Sequence, residues 1–273
     1  MISINPFDVF LWTFRKNEKD VINLYNTLSP VMQIATGGTM LNFGYWSSQH
    51  LDPISAQENL CHIFGNLSEL STAKNAIDVG SGLSAPSKFW RDAFPNLKLY
   101  DVNINFRQLC FSKHQKNIQF LNSTSTKLPF MNNSVDRVLA LESAQHFKPL
   151  DDFIVESKRV LIPSGFLVMA IPITISDASL RKLGLLKFTW SSEHYSLDYL
   201  KNLLISNGFK IIDEPPSCLA AISNEILVLV EGFSNIIIID LPAKGWSRSA
   251  ADLFKPSLFD FLVFTSSIIS LNS

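Results

Sequence analysis

The sequence predicts an α/β fold in which a mostly parallel sheet carries helices on both faces. Short apolar runs alternate with helical or turn stretches through the middle of the chain, as in parallel strands joined by crossover helices. A Gly-Ser-Gly turn at 80–82 follows the first of these runs. The 273 residues are 47% hydrophobic, which is enough for one substantial core.

Helices are expected ahead of the sheet. An apolar-periodic segment over 9–34, broken at Gly37 and Gly38, predicts one or two helices, and 53–67 predicts another. Strands are predicted at 76–79, 97–102, 118–122, 135–141 and 166–171. A helix over 197–207 leads into a sixth strand at 209–213. For the apolar stretch 222–241, period alone leaves a pair of strands and a buried helix both open.

Composition excludes several classes of function. The net charge is −1, with Lys and Arg scattered, so nucleic acid is not the expected partner. Cys61, Cys110 and Cys218 are far apart, which predicts reduced thiols in the cytoplasm and neither a disulfide scaffold nor a metal site. No integral membrane segment is expected, because no uninterrupted apolar run is long enough. A homodimer is compatible with the sequence.

The turn at Asp78-Val-Gly-Ser-Gly82 predicts a nucleotide-like ligand. Gly80 and Gly82 lack Cβ atoms, so the backbone can pass close to a ligand at the start of the following helix. No Lys-Ser or Lys-Thr pair follows, which disfavours a phosphate loop. A nicotinamide or flavin fold favours a third glycine where Ser84 stands. The turn alone leaves the ligand open.

A family resemblance lies in the set of segments that follow the strands. In order along the chain they are 40–46 (MLNFGYW), 78–82 (DVGSG), 102–108 (VNINFRQ), 128–136 (LPFMNNSVD) and 141–147 (LESAQHF). Together they resemble class I S-adenosylmethionine-dependent methyltransferases, in the small-molecule branch of tocopherol, sterol and rebeccamycin-type sugar methyltransferases. The resemblance covers about 40–214. It implies a Rossmann-like sandwich with a mostly parallel seven-stranded sheet and S-adenosylmethionine as cofactor.

The same resemblance implies a domain organisation. Residues 1–70 would form an N-terminal helical extension that acts as a cap or lid. Residues 71–273 would form the methyltransferase core with substrate-lid insertions, and the whole would be one structural domain. Residues 258–264 stand where the family has its last, antiparallel strand.

Residues of the cofactor site follow from the resemblance. Asp78, Gly80 and Gly82 would line the methionine end, with Tyr45 and Trp46 closing over it. For these two aromatic residues, core packing is the structural alternative.

The ribose and adenine contacts differ from the usual family pattern. Asn103 stands where many members have an acid for the ribose hydroxyls, with Gln108 nearby, although a strand cap and a solvated helix residue are alternatives. Thr124 and Ser125 lie where the family often has an acid for the adenine amino group, so charge assistance is missing there. With Ser84 in place of a third glycine, three contacts of one site are weakened.

His146 is the candidate catalytic residue. Methyl transfer to oxygen needs an aligned nucleophile and a base for its proton, and the histidine at the matching place in the sugar-modifying relatives has been viewed as that base. A loop-binding histidine is the alternative. Glu142 would contact the cofactor or orient the substrate, unless it is a buried structural carboxylate.

The sequence therefore predicts an S-adenosylmethionine-dependent enzyme that most readily methylates oxygen on a small, apolar or aromatic acceptor. Aromatic residues in segments that form the substrate lid of the family suggest this acceptor class, with a dimer surface or simple core as the alternative: Phe188, Trp190, Phe233, Trp246 and Phe254. The weakened site also leaves open a noncatalytic, partner-binding scaffold with the same fold. A nicotinamide oxidoreductase is a weaker third hypothesis, because Asn103 and Ser84 depart from its fingerprint.

Overall fold

The structure, a computed structural model, describes residues 17–46, 49–112, 117–174, 193, 195–211, 225–231 and 236–240. Its α-helices are α1 (Glu18–Thr36), α2 (Pro53–Leu67), α3 (Ala85–Ala93), α4 (Phe106–Ser112), α5 (Leu150–Val160) and α6 (Leu197–Ser206). Its strands are β1 (Asn75–Val79), β2 (Lys98–Asn103), β3 (Ile118–Asn122), β4 (Val135–Leu141), β5 (Leu161–Thr174), β6 (Tyr195–Ser196), β7 (Lys210–Ile211), β8 (Glu225–Glu231) and β9 (Ile236–Asp240).

The strands form one sheet whose main path runs β3-β2-β1-β4-β5-β8-β7. The first five of these are parallel to their neighbours, while β8 is antiparallel to both β5 and β7. The parallel part of the predicted sheet is confirmed. Seven of the described strands lie on the main path. Two more lie outside it, since β6 pairs with β5 and β9 pairs with β8, so the described sheet has nine strands. The stretch 222–241 thus contains a pair of antiparallel strands.

Alternation along the strands divides the core into two layers. Ile77 and Val79 face one layer with Phe153 of α5 and Leu204 of α6, where they are buried. Ala76 and its equivalents on neighbouring strands face the other layer, which α2 and α3 cover. Successive side chains of a strand point to opposite faces, so a sheet that is buried on both faces reads as a continuous apolar run.

Two helices precede the sheet, and their ends have local causes. Asn17 caps α1: its Oδ1 accepts from the Asp20 N–H at 3.2 Å, and Asp20 Oδ2 accepts from the Asn17 N–H at 2.8 Å. Asp52 caps α2 by accepting from the Ser55 N–H at 3.0 Å, with Pro53 in the first turn. Predicted bounds of 53–67 for α2 are confirmed.

Candidate active site

A cavity that is open to solvent lies at the carboxyl ends of β1, β2 and β4, and the space within and in front of it amounts to about 970 Å³. α1 forms one wall through Glu18, Val21, Ile22 and Tyr25. The floor is formed by residues that directly follow the strands, as expected for ligand sites in parallel α/β sheets.

The glycine turn brings the backbone close to this cavity. Gly80 has φ +76°, its N–H donates to the Val102 carbonyl at 2.7 Å, and a Cβ built on it would lie 2.6 Å from Ser143 Cβ. Gly82 has φ +56°, and its Cβ would lie 3.2 Å from Leu41 Cδ1. A side chain at position 80 would therefore collide with the residue after Glu142 and alter the cavity floor.

Two buried polar atoms belong to residues that line the cavity. Asn42 Oδ1 and Ser81 Oγ are buried and have no hydrogen-bond partner within the described part of the chain, and both residues line the cavity. Buried polar groups in proteins are normally hydrogen-bonded. An acceptor and a hydroxyl at this position suit the ammonium and carboxylate groups of an amino-acid ligand.

Asp78 and Asp101 form a buried acidic pair beneath the turn. They are register partners on β1 and β2, with 2% and 0% of their surface exposed. Burial raises the pKa of Asp101 to about 7, and the Ser84 and Ser87 hydroxyls oppose this rise. Burial and then the Asp101 charge raise the pKa of Asp78 well above its usual range, while a 2.8 Å hydrogen bond from Ser87 Oγ opposes this. The pair therefore holds a proton near neutral pH.

Asn103 connects the glycine turn to two helices. Its Nδ2 donates to the Gly82 carbonyl at 3.1 Å and to Gln108 Oε1 at 2.9 Å, and its Oδ1 accepts from the Asn105 N–H at 3.0 Å. Gln108 Nε2 in turn donates to Ser29 Oγ of α1 at 3.0 Å. Gln108 is 6% exposed, so it is not the solvated helix residue of the alternative interpretation.

Glu142 fixes the loop that precedes α2. Its Oε2 accepts from the Phe43 N–H at 2.7 Å, and the residue has φ +49°, a left-handed conformation that is uncommon outside glycine. Tyr45 packs partly buried against the core layer under α2, and Trp46 Nε1 donates to the Phe43 carbonyl at 3.0 Å. Neither Tyr45 nor Trp46 is among the residues that line the cavity.

His146 lies at the end of β4 in a short 3₁₀ turn, Ala144–His146. It is 7% exposed and lines the cavity. Its Nε2 is 2.9 Å from the hydroxyl of Tyr25 on α1, and the two rings meet edge to face with centroids 5.3 Å apart. Burial and then the Glu142 charge raise the pKa of Tyr25. Tyr25 is therefore a neutral phenol that can donate to an unprotonated imidazole.

The site residues predicted from sequence are brought together, with few exceptions. The cavity is lined by eight of them: Asp78, Gly80, Gly82, Asn103, Gln108, Ser125, Glu142 and His146. Thr124 does not line the cavity, but its hydroxyl donates to the carboxylate of Glu18, and Glu18 does line the cavity. The aromatic residues of the expected lid and the strand expected at 258–264 lie outside the described residues.

Sequence reasoning missed Tyr25 and Glu18. Their signal was helical spacing: Glu18, Ile22, Tyr25 and Ser29 recur at intervals of four, three and four, which puts them on one face of a helix. Polar side chains on that face mark it as the wall of a site and not only of a core.

Comparisons with known proteins find related enzymes. Residues 77–169 match the family model of a methyltransferase domain. Erythromycin 3''-O-methyltransferase of Saccharopolyspora erythraea is 26% identical over 61% of this chain and 58% of its own length. Fatty-acid O-methyltransferase of Mycolicibacterium smegmatis is 26% identical over 46% of this chain and 50% of its own. The chain thus spans between half and three fifths of the length of these relatives.

Solved structures share the fold. The [4+2]-cyclase SpnF superposes with a TM-score of 0.64 at 19% identity, over 72% of this chain and 74% of that chain. The cyclopropane synthase MmaA2 of Mycobacterium tuberculosis gives a TM-score of 0.59 at 13% identity, over 72% and 77%. Among the helices described, none has the length and apolar character needed to cross a membrane.

Proposed function

The chain carries a class I S-adenosylmethionine-dependent methyltransferase domain, and from this premise we propose that the protein methylates an oxygen of a small, largely apolar acceptor. The proposal is carried by the 2.9 Å hydrogen bond between Tyr25 and His146 at the cavity. Two relatives, named as O-methyltransferases of erythromycin and of fatty acids, support oxygen as the acceptor atom.

S-adenosylmethionine is the cofactor of this family, and when bound it supplies an electrophilic methyl group on a sulfonium sulfur. The buried Asn42 Oδ1 would accept from its ammonium group, and Ser81 Oγ would donate to its carboxylate. Gly80 and Gly82 leave room for the methionine backbone. Asn103 has both amide hydrogens engaged, so we assign it one contact, the second lone pair of Oδ1 to a ribose hydroxyl.

Other residues of the site would act by positioning. Asp78 would hold the start of α3 under the turn through Ser87. Glu142 would hold the loop at Phe43 over the cavity. Ser125, which is 8% exposed and lines the cavity, would offer its hydroxyl to the adenine ring.

His146 and Tyr25 would remove the acceptor proton. Tyr25 Oη would take the proton of the acceptor hydroxyl as the acceptor oxygen is methylated. The phenol passes its own proton to His146 Nε2 across the 2.9 Å contact. Tyr25 would stay neutral, and the proton with its positive charge would end on the imidazole. The raised pKa of Tyr25 suits this relay, because Tyr25 would gain one proton as it loses the other and would not become a phenolate.

The walls around this pair favour an apolar acceptor. Val21, Ile22, Leu41, Leu83 and Phe147 line the cavity, and burial of apolar acceptor surface against them is favourable. We further propose that residues 1–70 act as the cap of a single structural domain with the core at 71–273. A cytoplasmic location and a homodimer remain predictions.

Transfer of labelled methyl groups to a panel of fatty acids, quinols and glycosides tests the proposal. We expect label in at least one acceptor hydroxyl or carboxyl. His146→Ala should retain cofactor binding and lose methyl transfer by about 100-fold or more, whereas the exposed His62→Ala should not change the rate. Equal rates for His146→Ala and the wild type would refute the base assignment.

A further inference from the structure

Glu18, the first residue of α1, reaches the loop that follows β3. Its Oε1 accepts from the Thr124 hydroxyl at 2.5 Å, although the two residues are 106 positions apart in sequence. Thr124 Oγ1 also lies 3.1 Å from Thr126 Oγ1. Glu18 is half-buried and lines the cavity. A carboxylate is therefore fixed at this edge of the cavity by a hydroxyl of the loop after β3.

The strand order places Glu18 far from the methyl-transfer end. His146 follows β4, Gly80 follows β1, Asn103 ends β2 and Thr124 follows β3, and these strands are neighbours in that order. Adjacent strands are about 4.8 Å apart. A ligand whose reacting group lies between Gly80 and His146 thus extends across β2 and ends near Thr124, roughly 10 Å away.

The end of the ligand near Thr124 needs a hydrogen-bond acceptor from the protein if it carries an amino group. The acids that line the cavity are Glu18, Asp78 and Glu142, and of these only Glu18 contacts the segment after β3. Ser123 and Ser125 also line the cavity there. A carboxylate has several lone pairs, so the bond from Thr124 leaves capacity for a second donor. An exocyclic amine of a purine is such a donor, and a charged acceptor strengthens the bond.

Two further contacts hold α1 in this position. Asn105 Nδ2 donates to Asn26 Oδ1 at 3.1 Å, and Gln108 Nε2 donates to Ser29 Oγ at 3.0 Å. Both donors follow β2, one strand from Thr124. These bonds preorganise Glu18 over the cavity before any ligand binds, so little ordering cost falls on binding.

We propose that Glu18 recognises the adenine amino group of the cofactor and thereby supplies, from the N-terminal helix, the acid that is absent after β3. The inference rests on the proposed function, because it takes S-adenosylmethionine as the ligand. It makes α1 a part of the cofactor site as well as a wall of the acceptor site. Glu18 then determines specificity for a 6-amino over a 6-oxo purine.

Titration with S-adenosylhomocysteine and S-inosylhomocysteine tests the inference. The inosine analogue replaces the 6-amino group by an oxygen, which a carboxylate repels and a glutamine amide can bind. We expect the wild type to bind the adenosine compound about tenfold or more tightly than the inosine compound. In Glu18→Gln this preference should fall to about one- to threefold. Asp92→Asn, in an exposed ion pair on α3, should keep the wild-type ratio.

The outcomes separate the inference from the proposed function. A wild type that binds S-adenosylhomocysteine but retains its full preference in Glu18→Gln overturns the role of Glu18 alone. A wild type that binds both compounds equally does the same. A wild type that binds neither compound overturns the proposed function together with this inference.

Discussion

The Tyr25 hydroxyl lies 2.9 Å from His146 Nε2, which joins the N-terminal helix to the end of β4 across 121 positions of sequence. The contact makes α1 part of the candidate active site, because a hydroxyl of this helix lies within hydrogen-bond distance of the imidazole. A cap that only covered the core would not require a hydrogen bond to the candidate base.

Tyr25→Phe is expected to lower kcat about 10- to 100-fold and to leave the affinity for S-adenosylhomocysteine unchanged. The variant keeps the ring contact with His146 and removes only the hydroxyl of the relay. Tyr199→Phe removes an exposed hydroxyl that donates to Asp151 at 2.9 Å and serves as the matched control. An unchanged kcat in Tyr25→Phe would show that His146 receives the proton directly.

Gly80→Ala is expected to weaken binding of S-adenosylhomocysteine more than tenfold and to lower the free energy of unfolding by about 2–4 kcal/mol. The new Cβ would lie 2.6 Å from Ser143 Cβ. Gly208→Ala has a similar φ of +74° but no atom within 4 Å of its Cβ, so it isolates the conformational cost of about 1 kcal/mol. Calorimetric titration and chemical denaturation of both variants measure the difference. Equal losses of affinity and of unfolding free energy in Gly80→Ala and Gly208→Ala would contradict a steric clash between position 80 and Ser143.

Asn103→Asp introduces the acid that many family members have at this position, yet we expect it to weaken binding of S-adenosylhomocysteine about tenfold. A carboxylate cannot donate to the Gly82 carbonyl and Gln108 Oε1, which Asn103 Nδ2 contacts at 3.1 and 2.9 Å. Asn66→Asp on the exposed side of α2 is the control for added charge. Tighter binding in Asn103→Asp would contradict this description of the site.

From the raised pKa of Asp101 we expect the free energy of unfolding to fall as pH rises from about 4 to about 7. The unfolded chain releases this proton near pH 4, whereas burial raises the pKa of Asp101 to about 7 in the folded protein. The folded state binds more protons between these values, so the free energy of unfolding decreases with pH, by up to about 4 kcal/mol. Asp101→Asn should flatten the curve, and the exposed Asp92→Asn should not. An unchanged slope in Asp101→Asn would contradict the raised pKa.

Sequence periodicity predicted the elements well where one signal dominated. The expected bounds of α2, β3 and β4 agree with the structure, because apolar runs and turn residues coincide there. β5 spans Leu161–Thr174 and is longer than the predicted 166–171. Its pairing with β4 shifts register between Val135 and Arg137. Pro163 and Gly165, which interrupt the apolar run, lie in the part of β5 opposite this shift. In 225–240, unbroken apolar runs carry no period, so only pairing with β5 distinguishes strands from a buried helix.

The residues of the candidate site that lie at strand ends could be predicted from the sequence, whereas those on α1 could not. Gly80 directly follows β1, Asn103 is the last residue of β2, and His146 lies in the short turn after β4. The topology of a parallel sheet alone brings such strand ends together. Glu18 and Tyr25 reach the site because α1 packs across that edge, a contact between residues more than 100 positions apart. Local sequence contains no signal for such docking beyond the shared face of the helix.

Titration of the protein with S-adenosylhomocysteine shows whether the cavity at the strand ends binds the cofactor product. The cavity described here predicts saturable binding of one molecule per chain, with the same affinity in the wild type and in His146→Ala, since His146 is assigned to the acceptor proton and not to the cofactor. The absence of saturable binding to the folded wild-type protein would contradict the claim that this cavity is a methyltransferase cofactor site.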